Sequence, residues 1–198
     1  MSRDQPARPE AKPLRLFVAI EIPETVKDAI EEAFAPWRER FPDVRWAPRE
    51  NWHVTLKFLG RTGSPLADWV PKQVEVAARG LEPFRTRATG VGGFPSPAKA
   101  RVLWAGLEDE HGRMSGSAAS IEGELLEEFP VEKRGFHPHL TVGRSDPPVK
   151  LPPAFAETPL LTDDWEVDHV VLFQSHLRRP APRYEPLARF PLGAGPAR

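Results

Sequence analysis

One pattern occurs twice in this chain, and it restricts the fold more than any other feature. The first copy is Asn51-Trp52-His53-Val54-Thr55-Leu56-Lys57-Phe58-Leu59-Gly60. Val, Thr, Phe and Leu suit a pleated, half-buried strand, and Gly60 closes the run. Side chains of a strand alternate between two faces. Alternation puts His53, Thr55 and Lys57 on one face and Val54, Leu56 and Phe58 on the other. The second face reads as core. The first carries an imidazole, a hydroxyl and an ammonium in a row, which a plain solvent face does not need. The second copy is Phe136-His137-Pro138-His139-Leu140-Thr141-Val142-Gly143-Arg144, with His139 and Thr141 on one face and Leu140 and Val142 on the other. A single His-x-Thr describes an ordinary half-exposed strand. Two copies, near the quarter and three-quarter points and each with a cation close behind, predict two half-domains that each lend a strand to a shared cleft.

The rest of the pattern fits that frame. Residues 14–22 alternate as a strand. Val26, Ile30, Phe34, Trp37 and Phe41 recur at helical spacing and predict a helix over 24–41, with Pro36 as a kink or an early end. A short strand is expected at 44–46, a helix at 66–79 and strands at 84–91 and 100–107. Residues 92–97 read as an irregular Gly- and Pro-rich loop. Met114, Ala118, Ile121, Leu125 and Phe129 predict a third helix over 114–129. A Pro-rich connection follows at 146–153, and late strands at 165–175 and 184–192 are split by a basic loop. Few helices and strands with one apolar face give an α+β class: two antiparallel sheets facing each other across a cleft, helices outside.

At 198 residues the chain predicts one domain of two lobes over 14–192. Residues 1–13 read as a disordered tail and 193–198 as a frayed end. The first residues lack the apolar core of a signal peptide, and no apolar run reaches the ~20 residues of a membrane span. With no cysteine, disulfides, thiolate metal sites and a cysteine nucleophile are excluded, and the cytoplasm is the expected compartment. A net charge of −1 argues against a broad nucleic-acid binder, though not against a small basic cleft. Nothing demands more than a monomer.

The two motif segments, with Leu14 to Pro23, Gly90 to Pro97, Arg101 to Gly106, Val171 to Ser175 and Tyr184, resemble the 2H phosphoesterases. Within that superfamily the chain is similar to the RNA 2′,3′-cyclic phosphodiesterases, the LigT-like or 2′-5′ RNA ligase-like proteins. The resemblance spans about 14–192. It implies a bilobal, pseudo-two-fold fold and metal-independent hydrolysis of RNA 2′,3′-cyclic phosphate ends to 2′-phosphomonoesters, with 2′-5′ RNA ligation as the reverse reaction. It assigns His53 as proton donor and His139 as proton acceptor, roles that the residue types alone leave open. No cofactor and no metal enter this scheme. The implied partner is an RNA ending in a 2′,3′-cyclic phosphate, or a small cyclic nucleotide.

The chemistry suits the residues. Opening a cyclic phosphate needs one group to take a proton from water and another to give one to the leaving alkoxide. Two imidazoles near their ordinary pKa of ~6.5 serve both tasks at neutral pH. Thr55 and Thr141 can donate hydrogen bonds to non-bridging oxygens as charge builds. Arg144 resembles the arginine that closes the family's second motif. Strict alternation aims it away from His139, so a bulge near Gly143 is needed to turn it back. Lys57 has the parity for a phosphate contact and reads equally as a solvated lysine. Arg101 faces the cleft by resemblance. Phe17 and Trp46 read as core, with stacking on a base as the alternative. His111, His169 and His176 read as surface residues. Three alternatives stand beside hydrolysis of RNA ends. His137 and His139 could be half of a metal site, though no carboxylate cluster lies beside them in sequence. The cleft could bind nucleotides without turnover. It could also serve another small cyclic phosphate.

Overall fold

The computed structural model describes residues 12–193. The expected tail therefore lies almost wholly outside the described residues, as does the expected frayed end beyond Gly193. Among the described residues ten strands and four α-helices follow in the order β1 (Leu14–Glu21), α1 (Glu24–Arg40), β2 (Arg45–Trp46), β3 (His53–Thr62), α2 (Ser64–Arg79), β4 (Phe84–Thr86), β5 (Ala88–Phe94), β6 (Ala100–Leu107), α3 (Arg113–Glu124), β7 (His139–Val149), α4 (Pro153–Ala156), β8 (Trp165–Val167), β9 (His169–His176) and β10 (Arg183–Pro191).

The strands run antiparallel in the order β10-β9-β1-β3-β7-β6-β5, with β2 added beside β7. Two half-sheets meet at β3 and β7, and among the described residues only Val54 and Leu140 pair across that junction. A separate two-stranded sheet joins β4 to β8. The class is α+β, with antiparallel halves and few helices, as the patterning predicts.

Each half-sheet has an apolar face under helices and a second face toward the cleft. On β1 the division is sharp. Leu16, Val18 and Ile20 enter the main core with Val54, Leu56, Leu140 and Val142. Phe17 and Ala19 join a smaller cluster with Val171, Phe173 and Tyr184 on the opposite face. The helices are exchanged between halves. Helix α1 follows β1, yet its Phe34 packs 6.2 Å from Trp46 of β2 and 6.0 Å from Phe155 of α4, on the β7 side. Helix α3 follows β6 and packs on β3 and α2.

Several boundaries differ from the sequence pattern. Strand β7 runs on to Val149, into the expected Pro-rich connection 146–153, and the expected strand 165–175 splits at Asp168 into β8 and β9. Pro36 sits inside α1 without ending it. Helix α3 stops at Glu124, just past Gly123, a poor helix former. Leu125 and Phe129 still reach the core from the turns beyond it. Residues 92–94 are strand, not loop. Gly92 is required there because a Cβ would lie 2.2 Å from the Trp104 indole. The expected strand 84–91 splits at Arg87, so β4 leaves for the small sheet and β5 pairs with β6.

Gly143 pairs with Trp46 of β2, and the Val44 and Trp46 side chains lie over it on the core face. A Cβ on it would stand 2.8 Å from Val44 and 3.2 Å from the Trp46 ring. Overpacking of this kind costs about 1–3 kcal/mol. Gly143→Ala should lower the unfolding free energy in a urea titration by that amount. An unchanged midpoint would mean that β2 moves aside freely.

Candidate active site

Val54 and Leu140 point into the core, fully buried. Their neighbours along each strand therefore point into the cleft. Counting one residue either way from the Val54–Leu140 pair sets His53 against Thr141 and Thr55 against His139. The four residues of the two His-x-Thr units thus form a square on one face.

Each imidazole is held the same way. The Nδ1–H of His53 donates to the carbonyl of Asn51 at 2.8 Å, and that of His139 donates to the carbonyl of His137 at 2.7 Å. An Nδ1–H donor fixes the tautomer and leaves Nε2 to act on a ligand. The Thr55 hydroxyl donates to Nε2 of His53 at 3.0 Å. Rings wedge both residues. Phe17 lies 4.8 Å and Tyr184 5.1 Å from the His53 ring. Phe94 lies 5.0 Å from His139, nearly perpendicular to it.

The electrostatics disfavour charge on both imidazoles. Burial pushes His53 down to about 4, against the pull of the Asn51 carbonyl, and the positive charge of Arg144 and of a protonated His139 adds to the push. Burial also lowers His139, with further lowering from His137 and Arg144. Both rings are therefore neutral in the free cleft at neutral pH, and an anion between them would favour proton uptake.

Both motif strands carry one extra residue at the same place. In β3, Val18 pairs with Lys57 and Ala19 with Thr55, so Leu56 is bulged. In β7, Leu103 pairs with Gly143 and Trp104 with Thr141, so Val142 is bulged. Burial then follows an identical sequence over seven residues in the two strands. A bulge re-aims every side chain after it. Arg144 turns onto the cleft face, close enough to act on His53, His139 and Tyr184.

The same geometry corrects the reading of Lys57. The bulge at Leu56 turns it into the core, 2% exposed, where Nζ meets Glu122 at 2.5 Å and the Pro130 carbonyl at 2.7 Å. Phe58 takes the cleft face instead, 59% exposed. Strict alternation missed Phe58 because an aromatic at that parity reads as core.

The other expected contacts divide. Phe17 lies on the cleft face but is buried, stacked 5.2 Å from Phe173. It supports His53 from below. Trp46 is on the far face against α1, and its indole N–H donates to the Phe41 carbonyl at 3.2 Å. Arg101 pairs with Asp146 at 2.7 Å in the bulge that follows Arg144. His169 and His176, read as surface residues, are tied to Glu21 at 3.1 Å and Glu185 at 2.8 Å. The His137 and His139 rings stand 6.2 Å apart with Phe94 against both. Among the described residues no third His, Asp or Glu converges on them. A cavity of about 450 Å³ opens beside His53, walled by Asn51, Phe173 and Tyr184.

The LigT like Phosphoesterase family model matches residues 20–104. A relative from Thermus thermophilus, named RNA 2′,3′-cyclic phosphodiesterase, is 34% identical over 186 residues, 90% of this chain and 90% of the relative. Another of that name, from Methanothermobacter thermautotrophicus, is 32% identical over 131 residues, 66% of this chain and 71% of that one. The crystal structure of TT0787 of Thermus thermophilus is similar with a TM-score of 0.76 at 32% identity, over 93% of this chain and 100% of that one. E. coli LigT complexed with ATP is similar at 0.70 and 25% identity, over 92% and 99%.

The enclosed imidazoles have a direct spectroscopic consequence. In a histidine NMR titration of the free protein, His53 should titrate near 4 and His139 below 6.5. Added inorganic phosphate should move both upward. A His53 titration at or above 6.5 would mean that the ring is hydrated, not enclosed.

Proposed function

This chain belongs to the LigT-like phosphoesterase family, and from that premise we propose that it hydrolyses RNA 2′,3′-cyclic phosphate ends to 2′-phosphomonoesters without a metal. Curated relatives at about a third identity carry the name RNA 2′,3′-cyclic phosphodiesterase, which supports the substrate class. One observation carries the mechanism. Two imidazoles, each held through Nδ1 by the carbonyl two residues back, present Nε2 to one cleft from opposed strands.

The cyclic phosphate sits between them. His139 takes a proton from water through Nε2 as the water oxygen forms its bond to phosphorus. The P–O3′ bond breaks on the other side, and His53 gives its Nε2 proton to O3′. Each such transfer is typically worth ~10²–10⁴-fold in rate. Thr55 and Thr141 donate to the non-bridging oxygens, and Arg144 offsets the growing charge. The Thr55 hydroxyl, which donates to His53 in the free cleft, rotates to the phosphate when His53 is charged. Donation by His53 requires that the bound phosphate anion draw a proton from solvent onto the ring, because burial keeps the free ring neutral. Lys57 and Trp46 play no part in this scheme.

A cytoplasmic enzyme fits the absence of cysteine, and nothing in this scheme needs more than one copy of the chain. Among the described residues no helix is long and apolar enough to cross a membrane. The reverse, 2′-5′ ligation, passes through the same groups and is opposed by water.

Turnover of a nucleoside 2′,3′-cyclic phosphate in EDTA, followed by phosphorus NMR, tests the reading. A 2′-monophosphate is expected, lost in His53→Ala and His139→Ala. Thr55→Val and Thr141→Val should each lower kcat by ~10²-fold, the order found for removing one oxyanion donor. Loss of activity in EDTA would overturn the metal-independent scheme. Nucleotide binding with no turnover would make the cleft a binding module.

The pH dependence follows from the lowered pKa values. Reaction needs one imidazole protonated and one neutral, a property of the pair. With both values depressed, the singly protonated form is present at acid pH and is lost as pH rises. The kcat/KM of the free enzyme should peak below pH 6.5 and fall about tenfold per unit above the peak, while kcat peaks higher because bound phosphate stabilises the imidazolium. A kcat/KM optimum above pH 7.5 would contradict this sign.

A further inference from the structure

We propose that Arg15 and Arg61, with the exposed ring of Phe58, form a track on the cleft face that binds the single-stranded RNA leading into the reactive end. The track makes an oligoribonucleotide, and not a mononucleotide, the preferred substrate. This rests on the RNA-end reading above and extends it to the strand behind the reacting nucleotide.

The placement comes from register. Arg15 shares the face of Phe17 and Ala19 on β1, opposite the core residues Leu14 and Leu16. It pairs directly with Arg61 of β3. Directly opposed side chains in an antiparallel pair lie on one face, about 4.5–5.5 Å apart at Cβ. Two bulges in β3 make this pairing. The second falls at Leu59, where Leu16 faces Gly60 and Phe17 faces Phe58, and Gly60 takes a φ of +69° that favours glycine.

Two like charges held opposite each other destabilise a sheet. Among the described residues some arginines, Arg49, Arg87, Arg101 and Arg189 among them, reach a carboxylate within 4.0 Å, and others such as Arg40 and Arg45 do not; what sets Arg15 and Arg61 apart is that they face each other directly. Among the described residues neither Arg15 nor Arg61 is within that distance of one, and both are exposed. Among the same residues Arg144 likewise lacks a carboxylate. Tyr184 feels both Arg15 and Arg144, which offset the upward push of burial on its hydroxyl. The arginine pair is therefore continuous with the cleft. Between it and Thr55 stands Phe58, 59% exposed and 6.0 Å from the Phe17 ring. Unpaired arginines beside a solvent-facing aromatic ring are what an unstacked RNA strand requires, phosphates on the guanidinium groups and a base on the ring.

The pseudo-symmetry bears on this directly. Phe58 and Arg144 occupy equivalent positions, each five residues after its histidine and each exposed. One motif supplies a charge there and the other supplies a ring. A symmetric substrate would need the same group twice. An RNA end is asymmetric about its terminal phosphate, with a chain of nucleotides on one side and water on the other.

The test compares a nucleoside 2′,3′-cyclic phosphate with a hexaribonucleotide ending in the same group, using wild type and the Arg15→Gln/Arg61→Gln double variant. Wild type should show the higher kcat/KM on the hexamer. The double variant should lose about tenfold on the hexamer and little on the mononucleotide. Phe58→Ser should lose on the order of 5–100-fold on the hexamer, the range for one base–aromatic stack. In fluorescence anisotropy with a labelled hexamer carrying a terminal phosphate, the slope of log affinity against log salt should shrink by about 0.7 per phosphate released. Removing the opposed charges should leave the melting temperature equal or higher. Equal loss on both substrates, no preference in wild type, an unchanged salt slope or a lowered melting temperature would each overturn the track. If wild type hydrolyses neither substrate, the hydrolysis reading alone falls. Anisotropy then decides the track: salt-dependent binding weakened in the double variant supports it, and no binding overturns it.

Discussion

Everything at the cleft depends on the pairing of Val54 with Leu140. It is the sole backbone pairing between the half-sheets among the described residues. Both side chains are fully buried, so their strand neighbours must face the other way. One apolar contact thus sets the register of two histidines and two threonines. A one-residue slip of either strand would send its own histidine and threonine into the core. The slip is costly because the Val54 or Leu140 of that strand would then meet water, losing about 1.5–3 kcal/mol of burial.

The two motif strands then depart from alternation at the same step. Leu56 and Val142 are each the extra residue of a bulge. Beyond the bulges the two strands repeat in geometry and differ in chemistry. The next position points inward and holds Lys57 in one strand and Gly143 in the other. The position after that points outward and holds Phe58 in one and Arg144 in the other. Lys57 is ion-paired with Glu122, which also accepts the backbone N–H of Glu132. A residue of the first motif strand thereby anchors the segment that leads into the second. Gly143 leaves the space that Val44 and Trp46 fill. Duplication fixed the backbone, and the neighbours on each side decided the side chains.

Much of this was legible in the sequence. The period-two alternation around His53 and His139 gives the cleft face, and the apolar recurrence from Val26 to Phe34 gives α1. The conflict between strict alternation and the cation at Arg144 even demands a bulge. No comparable conflict arises at Lys57, since lysine at a cleft-facing parity looks natural, so its turn into the core leaves no mark. Phe58 is hidden for the complementary reason. Trp46 and Phe17 are both aromatic residues on short apolar runs, and only the assembled sheets separate the one under α1 from the one under His53. Gly92 and Gly93 read as a loop because glycine weakens a strand. Their need is set by Trp104, which arrives from another strand.

The exchange of helices between the halves has a consequence for what the molecule is made of. Helix α1 leaves one half-sheet to cover the other, with Phe34 against Trp46 and Phe155, and α3 makes the return crossing onto β3. Either half cut free would keep its strands and lose the helix that comes from the other, exposing part of its apolar face to water, although α2 stays on the side of β9 and β10. Two such halves could cover each other only by trading helices, which is the arrangement of a domain-swapped dimer. The chain is in this sense a swapped pair joined end to end, and the cleft is the seam between the partners.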